Sequence, residues 1–243
     1  MKILVLGGTA EARALCSAVI ALGHPVTISL AGRTSAPLLP EGAEVRVGGF
    51  GGAEFLAAYI QSEGFGRVVD ATHPYAAQMS TNAAVAAEQA GVPLVRLTRP
   101  GWVEPHYAFW TRVPNAEAAA AELPRGSRAF LTIGHHGLEA FYARTDCTFL
   151  IRAIEVPDWL PPHCWAIESR PPYYVREETE LMRKEKITHL VSKNSGGAQT
   201  EAKLFAAQAL GLKTIIIERP EKPKVREYQS IGRCIAALHL DRE

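Results

Sequence analysis

The hydrophobic residues of this chain fall into short continuous runs that alternate with longer stretches of helical spacing. Ile3–Leu6 is the first run, and four successive apolar residues are typical of a strand buried on both faces of a parallel sheet. Apolar side chains then recur every three or four residues over 10–22, which predicts a helix that ends at Gly23. Val26–Leu30, in which apolar residues alternate with Thr27 and Ser29, is predicted to be a second strand. This order of strand, glycine turn, helix and strand is typical of the start of a dinucleotide-binding unit.

The same alternation continues along the rest of the chain. Further strands are predicted at 44–47, 68–71, 93–97, 129–133, 149–153, 165–168, 189–192 and 214–218. Further helices are predicted over 55–62, 76–90, 116–123, 177–186, 200–210 and 230–240. Pro100-Gly101 separates two such sets, so we expect two α/β domains with mostly parallel sheets. Residues 1–100 are predicted to be a dinucleotide-binding, Rossmann-like domain, and residues 101–243 a second α/β domain.

Composition narrows the classes of partner. The 243 residues are 47% hydrophobic and 21% charged, as in an ordinary globular protein. A net charge of +1 gives no reason to expect nucleic acid or an anionic membrane as the main partner. The apolar run at the N-terminus is too short for a signal peptide, and no apolar run is long enough to span a membrane. We therefore expect a cytoplasmic protein, with its oligomeric state open.

Two glycine-rich turns are candidate anion sites. Gly7-Gly8-Thr9 follows the first strand, and Lys193-Asn194-Ser195-Gly196-Gly197 follows a later one; each leads into a predicted helix. Glycine supplies unusual backbone dihedrals, and the N-terminus of a helix favours negative charge. Residues of these two turns, together with a threonine at the end of another strand, are predicted to bind the cofactor. They are Gly7, Gly8, Thr9, Glu11, Thr72, Asn194, Ser195, Gly196 and Gly197.

The end of the second strand indicates which nicotinamide nucleotide is preferred. An NAD site has Asp or Glu at this position to bind the ribose 2′-hydroxyl, whereas this chain has Arg33, Thr34 and Ser35. A guanidinium with two hydroxyls suits a 2′-phosphate, so the sequence favours NADPH, with NADH possible as a cofactor. The alternative is a solvated arginine on a turn.

Candidate groups for the substrate and for proton transfer also lie at strand ends. His73, Tyr75 and Lys193 are the candidates for a catalytic proton donor, and solvent is the alternative. Four basic side chains are predicted to bind substrate carboxylates, namely Arg96, Arg99, Arg170 and Lys203. The alternative for the two close arginines is a surface pair. We find no nucleophile elbow, Walker loop or metal-ligand cluster, so no metal is expected.

The four cysteines, Cys16, Cys147, Cys164 and Cys234, are widely spaced and include no C-x-x-C pair. We interpret them as structural thiols in a reducing cytosol, and the alternatives are disulfides or zinc ligands.

In combination, several motifs resemble one family. They are Gly7-Gly8-Thr9-x-Glu11-Ala12, Asp70-Ala71-Thr72-His73-Pro74-Tyr75-Ala76, Arg96-x-x-Arg99-Pro100, Lys193-Asn194-Ser195-Gly196-Gly197 with Thr200 and Lys203, and Arg219-Pro220. In this order they resemble the precorrin-6A reductase family of cobalamin biosynthesis, over essentially the whole chain. The resemblance implies reduction of one double bond in a cobalt-free or cobalt-bearing tetrapyrrole precursor, with hydride from a reduced nicotinamide nucleotide. It also implies two Rossmann- or flavodoxin-like three-layer domains with the active site in a cleft between them.

Two other hypotheses stay open. One is another NAD(P)-dependent reductase or epimerase with an anionic substrate, although Tyr75 is followed by Met79 and not by the lysine of a Tyr-x-x-x-Lys pair. The other is an NADP-binding module that senses redox state, which would need only the first half of the chain. The sequence also leaves open whether the Lys193 turn contacts cofactor or substrate.

Overall fold

The computed structural model describes residues 1–32 and 38–239. The strands within these ranges are β1 (Ile3–Leu6), β2 (Val26–Leu30), β3 (Glu44–Val47), β4 (Arg67–Asp70), β5 (Leu94–Leu97), β6 (Trp110–Val113), β7 (Arg128–Thr132), β8 (Thr148–Ala153), β9 (Cys164–Glu168), β10 (His189–Lys193), β11 (Lys213–Ile217) and β12 (Arg226–Tyr228). The helices there are α1 (Ala10–Ala21), α2 (Ala53–Ser62), α3 (Ala77–Ala90), α4 (Ala116–Ala121), α5 (Glu139–Tyr142), α6 (Val175–Lys184), α7 (Ala202–Ala209) and α8 (Ile231–Ala237), with a short 3₁₀ helix at Ala198–Thr200.

The strands form two six-stranded sheets in which every pairing is parallel. The first sheet has the order β3-β2-β1-β4-β5-β12, and the second has the order β9-β8-β7-β10-β11-β6. Helices alternate with the strands along the chain in both. The predicted fold class, two α/β domains of Rossmann-like character with parallel sheets, is confirmed.

Both sheets have the same spatial order of strands. The first has the order 3-2-1-4-5-6 of dinucleotide-binding folds. Numbering the second sheet from β7 gives the same order for its first five strands, and β6 occupies the sixth position. The sixth strand of the first sheet, β12, comes after the second sheet in the chain, and β6 comes before the rest of its own sheet. The two halves therefore share a strand order without a repeated sequence, and they differ in how the chain reaches the sixth strand.

The C-terminal segment corrects one prediction. Residues 101–243 were predicted to form the second domain, but the compact units are residues 101–219 and residues 1–100 together with the segment that begins at Pro220. This segment belongs to the first unit because β12 pairs with β5 and places Glu227 beside Arg96. Cys234 of α8 also lies in the same buried cluster as Leu15 of α1. The charged sequence of β12 gave no apolar run by which to predict a strand.

A continuous apolar run produces β1, as expected for a strand of a parallel sheet covered on both faces. All four residues of β1 and all five of β2 are buried. Helix α1 turns Leu15, Cys16 and Val19 toward this sheet, and each of these residues is fully buried. In the second unit the corresponding cluster includes Phe130, Leu150 and Leu190. These cores hold the strand ends, and hence the loops that follow them, in fixed positions.

The four cysteines are buried as thiols. Burial raises the pKa of Cys16 to about 12 and the pKa values of Cys164 and Cys234 to about 11. These three thiols therefore stay protonated near neutral pH, which makes them poor nucleophiles.

Within the described ranges, none of the helices combines the length and apolar character that a membrane span requires.

Candidate functional site

Each sheet has one point at which the strand order reverses. In the first unit it lies between β1 and β4, and in the second between β7 and β10. Ligands of open parallel sheets bind outside the carboxyl ends of the strands at such a point. Four loops meet this description: the loops after β1 and β4 in the first unit and the loops after β7 and β10 in the second.

The loop after β1 contains two glycines with different roles. A Cβ atom on Gly7 would lie 2.7 Å from both Cδ1 and Cγ1 of Ile28, so this residue must be small for β1 to pack beside β2. Gly8 has φ +113°, and a Cβ there would meet nothing within 4 Å. The backbone at Gly8 is therefore exposed to approach by a ligand, at the N-terminus of the twelve-residue helix α1.

Thr9 joins the two loops of the first unit. Its hydroxyl accepts a hydrogen bond from Ala12 N at 3.0 Å, which caps α1, and donates one to the carbonyl of Ala71 at 2.9 Å. Because the one hydroxyl proton of Thr9 is donated to Ala71, a hydrogen bond from Thr9 to a phosphate oxygen would come from its backbone. The predicted role of Thr9 in cofactor binding therefore remains a prediction, and it concerns the backbone of this residue.

Beside this turn lies a shallow depression. It is lined by Thr9, Glu11, Thr72, Pro74, Leu97, Thr98 and Arg99. Glu11 stands in the first turn of α1 and accepts from Arg99 Nη1 at 3.0 Å. The depression thus brings together three predicted cofactor residues, Thr9, Glu11 and Thr72, with a predicted substrate residue, Arg99.

The loop after β4 is organised by Asp70, which is buried. Asp70 Oδ1 accepts from Thr72 N at 3.2 Å and from Thr72 Oγ1 at 2.6 Å, and Oδ2 accepts from Arg96 Nε at 2.9 Å. Burial opposes ionisation of this carboxyl, but contacts from Ser80, Thr72 and Arg96 and the charge of Lys222 outweigh it and lower its pKa. Asp70 is thus an ionised anchor for the loop. The sequence motif contained it without revealing this role.

These contacts change the interpretation of Arg96. The side chain is 5% exposed and its guanidinium is paired with Asp70. It also donates to the carbonyl of Pro223 at 3.2 Å and lies 3.4 Å from Glu227. A group held this way inside the first unit is unsuited to binding a substrate carboxylate, so the geometry argues against the predicted substrate role of Arg96.

His73 and Tyr75 lie side by side in the loop after β4. The Tyr75 N–H donates to His73 Nδ1 at 3.3 Å, and the two ring centroids are 5.7 Å apart. Since Nδ1 accepts, a neutral His73 carries its proton on Nε2. Lys222 donates to the His73 carbonyl at 3.3 Å and so fixes the backbone of the same loop. Two predicted proton donors are therefore adjacent, on a loop anchored by Asp70 and Lys222.

In the second unit Lys193 joins the loops of the switch point, as Thr9 does in the first. It is the last residue of β10, and its Nζ donates to the carbonyls of Ile133 at 2.7 Å and His136 at 3.3 Å. Both carbonyls belong to the loop after β7. The ammonium group is thus held at the mouth of the β10 loop, where it contributes a positive charge.

The loop after β10 is held by hydrogen bonds to its own oxygen atoms. Asn194 Oδ1 accepts from Trp102 N at 2.7 Å, and the Gly197 carbonyl accepts from Trp102 Nε1 at 3.2 Å. Arg219 donates to the carbonyls of Asn194 at 2.8 Å and Ser195 at 3.1 Å. The buried Asn194 side chain supports the loop, which argues against a direct contact from this amide oxygen to a cofactor.

The chain turns at Gly196 and Gly197, where φ is +71° and +88°. Only glycine takes such values without strain.

Of the other predicted substrate residues, Lys203 is buried and Arg170 is exposed. Lys203 Nζ donates to the Thr200 carbonyl at 2.9 Å and lies 4.6 Å from the centroid of the Trp102 ring. Arg33, Thr34 and Ser35 lie outside the described residues, so their assignment to a 2′-phosphate remains a prediction. Within 1–32 and 38–239, no cluster of three or more His, Cys, Asp or Glu side chains is placed to bind a metal.

These parallel sheets, with glycine turns and basic side chains at the ends of their strands, define an α/β protein with two Rossmann-like domains. More specifically, the chain belongs to the family described as precorrin-6x reductase CbiJ/CobK, whose sequence pattern matches residues 2–239. The resemblance predicted from the motifs is confirmed.

Individual relatives agree with this assignment. The chain is 48% identical over 229 residues to the precorrin-6A reductase of Rhodococcus erythropolis, covering 93% of this chain and 92% of the relative. It is 28% identical over 249 residues to the cobalt-precorrin-6A reductase of Priestia megaterium, covering 97% of each. A solved structure of CobK precorrin-6A reductase superimposes with a TM-score of 0.92 at 42% identity, covering 98% of this chain and 96% of that one.

Proposed function

We propose that this protein reduces one double bond of precorrin-6A with hydride from NADPH. The observation that carries the proposal is the family match over residues 2–239. Identity is 48% to the Rhodococcus erythropolis precorrin-6A reductase and 28% to the Priestia megaterium cobalt-precorrin-6A reductase. This difference favours the cobalt-free substrate over its cobalt-bearing counterpart.

The residues of the first unit fit a dinucleotide. Its sheet has the strand order of dinucleotide-binding folds, and the glycine turn after β1 leads into α1. A pyrophosphate needs close approach to the main chain, and the open space around Gly8 supports such a contact. Arg33, Thr34 and Ser35 would hold the 2′-phosphate, which makes NADPH the preferred donor over NADH.

The substrate brings many acetate and propionate carboxylates, which basic side chains at loop ends would bind. Arg99 borders the depression beside α1, and Lys193 lies at the mouth of the β10 loop. Arg170 is exposed and suits the same role. We assign these three residues to anionic groups of the ligands, and we withdraw Arg96 because it is the buried partner of Asp70.

When bound, NADPH would supply the hydride for one carbon of the double bond. The other carbon would take a proton, so the hydride and the proton together would give the dihydro product. His73 and Tyr75 are the favoured donors on this chain, because they are adjacent on an anchored loop. Lys193 is less favoured, because its ammonium already donates to two carbonyls. Solvent is the alternative source.

The test is consumption of NADPH, followed by its near-ultraviolet absorbance, when the purified protein meets precorrin-6A. Parallel reactions with cobalt-precorrin-6A and with NADH decide the substrate and the cofactor. We expect oxidation that depends on the tetrapyrrole and is faster with NADPH. If the protein binds nucleotide tightly but oxidises neither NADPH nor NADH, the reductase proposal is refuted, and the redox-sensing module becomes the better hypothesis.

A further inference from the structure

The loop after β10 has its carbonyl groups turned toward two side chains of the same unit. Arg219 Nε donates to the Asn194 carbonyl at 2.8 Å, and Arg219 Nη2 donates to the Ser195 carbonyl at 3.1 Å. Trp102 Nε1 donates to the Gly197 carbonyl at 3.2 Å. The side chains of Arg219 and Trp102 therefore fix the orientation of three peptide groups within residues 194–198.

This orientation has a consequence for the N–H groups of the loop. A trans peptide is planar, and its N–H points opposite to its C=O. The Ser195 carbonyl shares a peptide group with the Gly196 N–H, and the Gly197 carbonyl shares one with the Ala198 N–H. The Gly196 N–H therefore points away from Arg219, and the Ala198 N–H points away from the Trp102 indole.

The charge of Arg219 adds to this effect. The guanidinium faces the negative ends of two peptide dipoles, so their positive ends, the N–H groups of Ser195 and Gly196, point away from it. The Ser195 N–H donates to the Lys193 carbonyl at 2.7 Å, so the N–H groups of Gly196 and Ala198 are the ones that can face a ligand. Closely spaced backbone N–H groups of this kind form concavities that bind anions. Lys193 at the start of the loop contributes a further positive charge.

We propose that Arg219 is a positioning residue for ligand binding, and that it acts through the peptide groups of residues 194–197. Its role is to hold this loop in the orientation that receives a phosphate or carboxylate group. The inference rests on the proposed function, because that function supplies the two anionic ligands. The ability of the loop to bind an anion would then depend on Arg219, a side chain that follows β11 and lies outside the glycine motif.

The experiment compares Arg219→Met, Arg219→Lys and Trp102→Phe with the wild-type protein. Arg219→Met removes both donors to the loop, whereas Arg219→Lys keeps the charge but loses the fork that reaches two carbonyls. Trp102→Phe removes only the indole donor and keeps an aromatic ring beside Lys203. The matched control is Arg176→Met, since Arg176 in the same unit is 89% exposed and pairs with Glu180.

Binding of NADPH and of precorrin-6A is measured separately, by nucleotide fluorescence and by tetrapyrrole absorbance, together with the melting temperature. We expect Arg219→Met to raise the Kd of one of the two ligands about tenfold or more, since two charge-assisted bonds are lost. The other Kd and the melting temperature stay near the wild-type values. Arg219→Lys and Trp102→Phe should show smaller increases for the same ligand, and Arg176→Met none.

Two results would overturn the inference: wild-type Kd values for both ligands in Arg219→Met, or equal weakening of both with a lowered melting temperature. If Arg219→Met does not fold, Trp102→Phe decides by the same criteria. The proposed function has a separate outcome. A wild-type protein that binds both ligands without oxidising NADPH refutes the reductase but not the positioning role, whereas one that binds neither ligand refutes both.

Discussion

The carboxylate of Asp70 and the guanidinium of Arg96 form a buried ion pair in the first unit, with Oδ2 and Nε 2.9 Å apart. The other oxygen of Asp70 holds Thr72 through its N–H and its hydroxyl. The start of the loop that carries His73 and Tyr75 is therefore hydrogen-bonded to the buried carboxylate of Asp70. The stability of this pair and the geometry of the candidate proton donors are linked through Thr72.

Asp70→Asn should lower the free energy of unfolding by about 3–5 kcal/mol, because it leaves the buried Arg96 without its charged partner. The measurement is chemical unfolding followed by circular dichroism. Glu227→Gln is the matched control, because Glu227 faces the same guanidinium at 3.4 Å but has a side chain that is 46% exposed. It should cost at most about 1 kcal/mol. Equal effects of the two substitutions would contradict the structural role of Asp70.

The same pair predicts how stability depends on pH. The pKa of Asp70 is lowered in the folded protein from the usual value of 3.8. A lowered folded-state pKa gives a stabilisation that is complete above the unfolded-state pKa and is lost as the pH falls through the folded-state pKa. The difference in unfolding free energy between wild type and Asp70→Asn should therefore be constant near neutral pH and shrink below about pH 4. A difference that persists unchanged into stronger acid would show that the pKa of Asp70 is not lowered.

The contrast between predicted and unpredicted elements has a physical cause. Strands β1, β2 and β10 lie inside parallel sheets, so the apolar residues that they bury were recognisable in the sequence. Strands β6 and β12 lie at sheet edges, and both carry exposed charged or polar residues. Their strand structure comes from pairing with β11 and β5, which are distant in the chain. Local patterns do not contain that information.

The candidate site divides in the same way. The glycine turn and the Thr9 cap depend on neighbours in the sequence, and the turn was predicted. The Asp70–Arg96 pair depends on the register that places these two residues on adjacent strands. The contacts of Arg219 with Asn194 likewise join residues at the ends of adjacent strands. Arginines at strand ends were therefore recognisable as candidates, but their internal partners were not.

The cofactor preference gives a prediction that depends on the sequence alone, since Arg33 lies outside the described residues. Arg33→Ala should raise the KM for NADPH by a factor that corresponds to about 1.5–3 kcal/mol, because a charge-assisted contact to the 2′-phosphate is lost. The KM for NADH should stay unchanged, which makes NADH the internal control. Steady-state kinetics with both nucleotides provide the measurement. Equal increases in both KM values would remove Arg33 from the site.

The second unit contains a buried ion pair of its own. Arg152 on β8 donates to Glu178 on α6 through Nη1 at 2.9 Å and Nη2 at 2.6 Å. The guanidinium carbon also lies 4.7 Å and 4.1 Å from the ring centroids of Phe130 and Tyr173. The arginine is thus enclosed by two aromatic rings and one carboxylate, and the side chains of Arg152 and Glu178 are only 6% and 3% exposed.

Glu178→Gln should therefore destabilise the protein by about 3–5 kcal/mol, since an arginine charge stays buried without compensation. Glu180→Gln, two residues along the same helix, is the matched control. Glu180 is 63% exposed and pairs with Arg176 at 2.9 Å, so its loss should cost at most about 0.5 kcal/mol. Thermal and urea unfolding of the two variants measure the difference. Similar stabilities would mean that the Arg152–Glu178 pair contributes no more than an exposed helix pair, and that packing against Phe130 and Tyr173 holds the arginine in place.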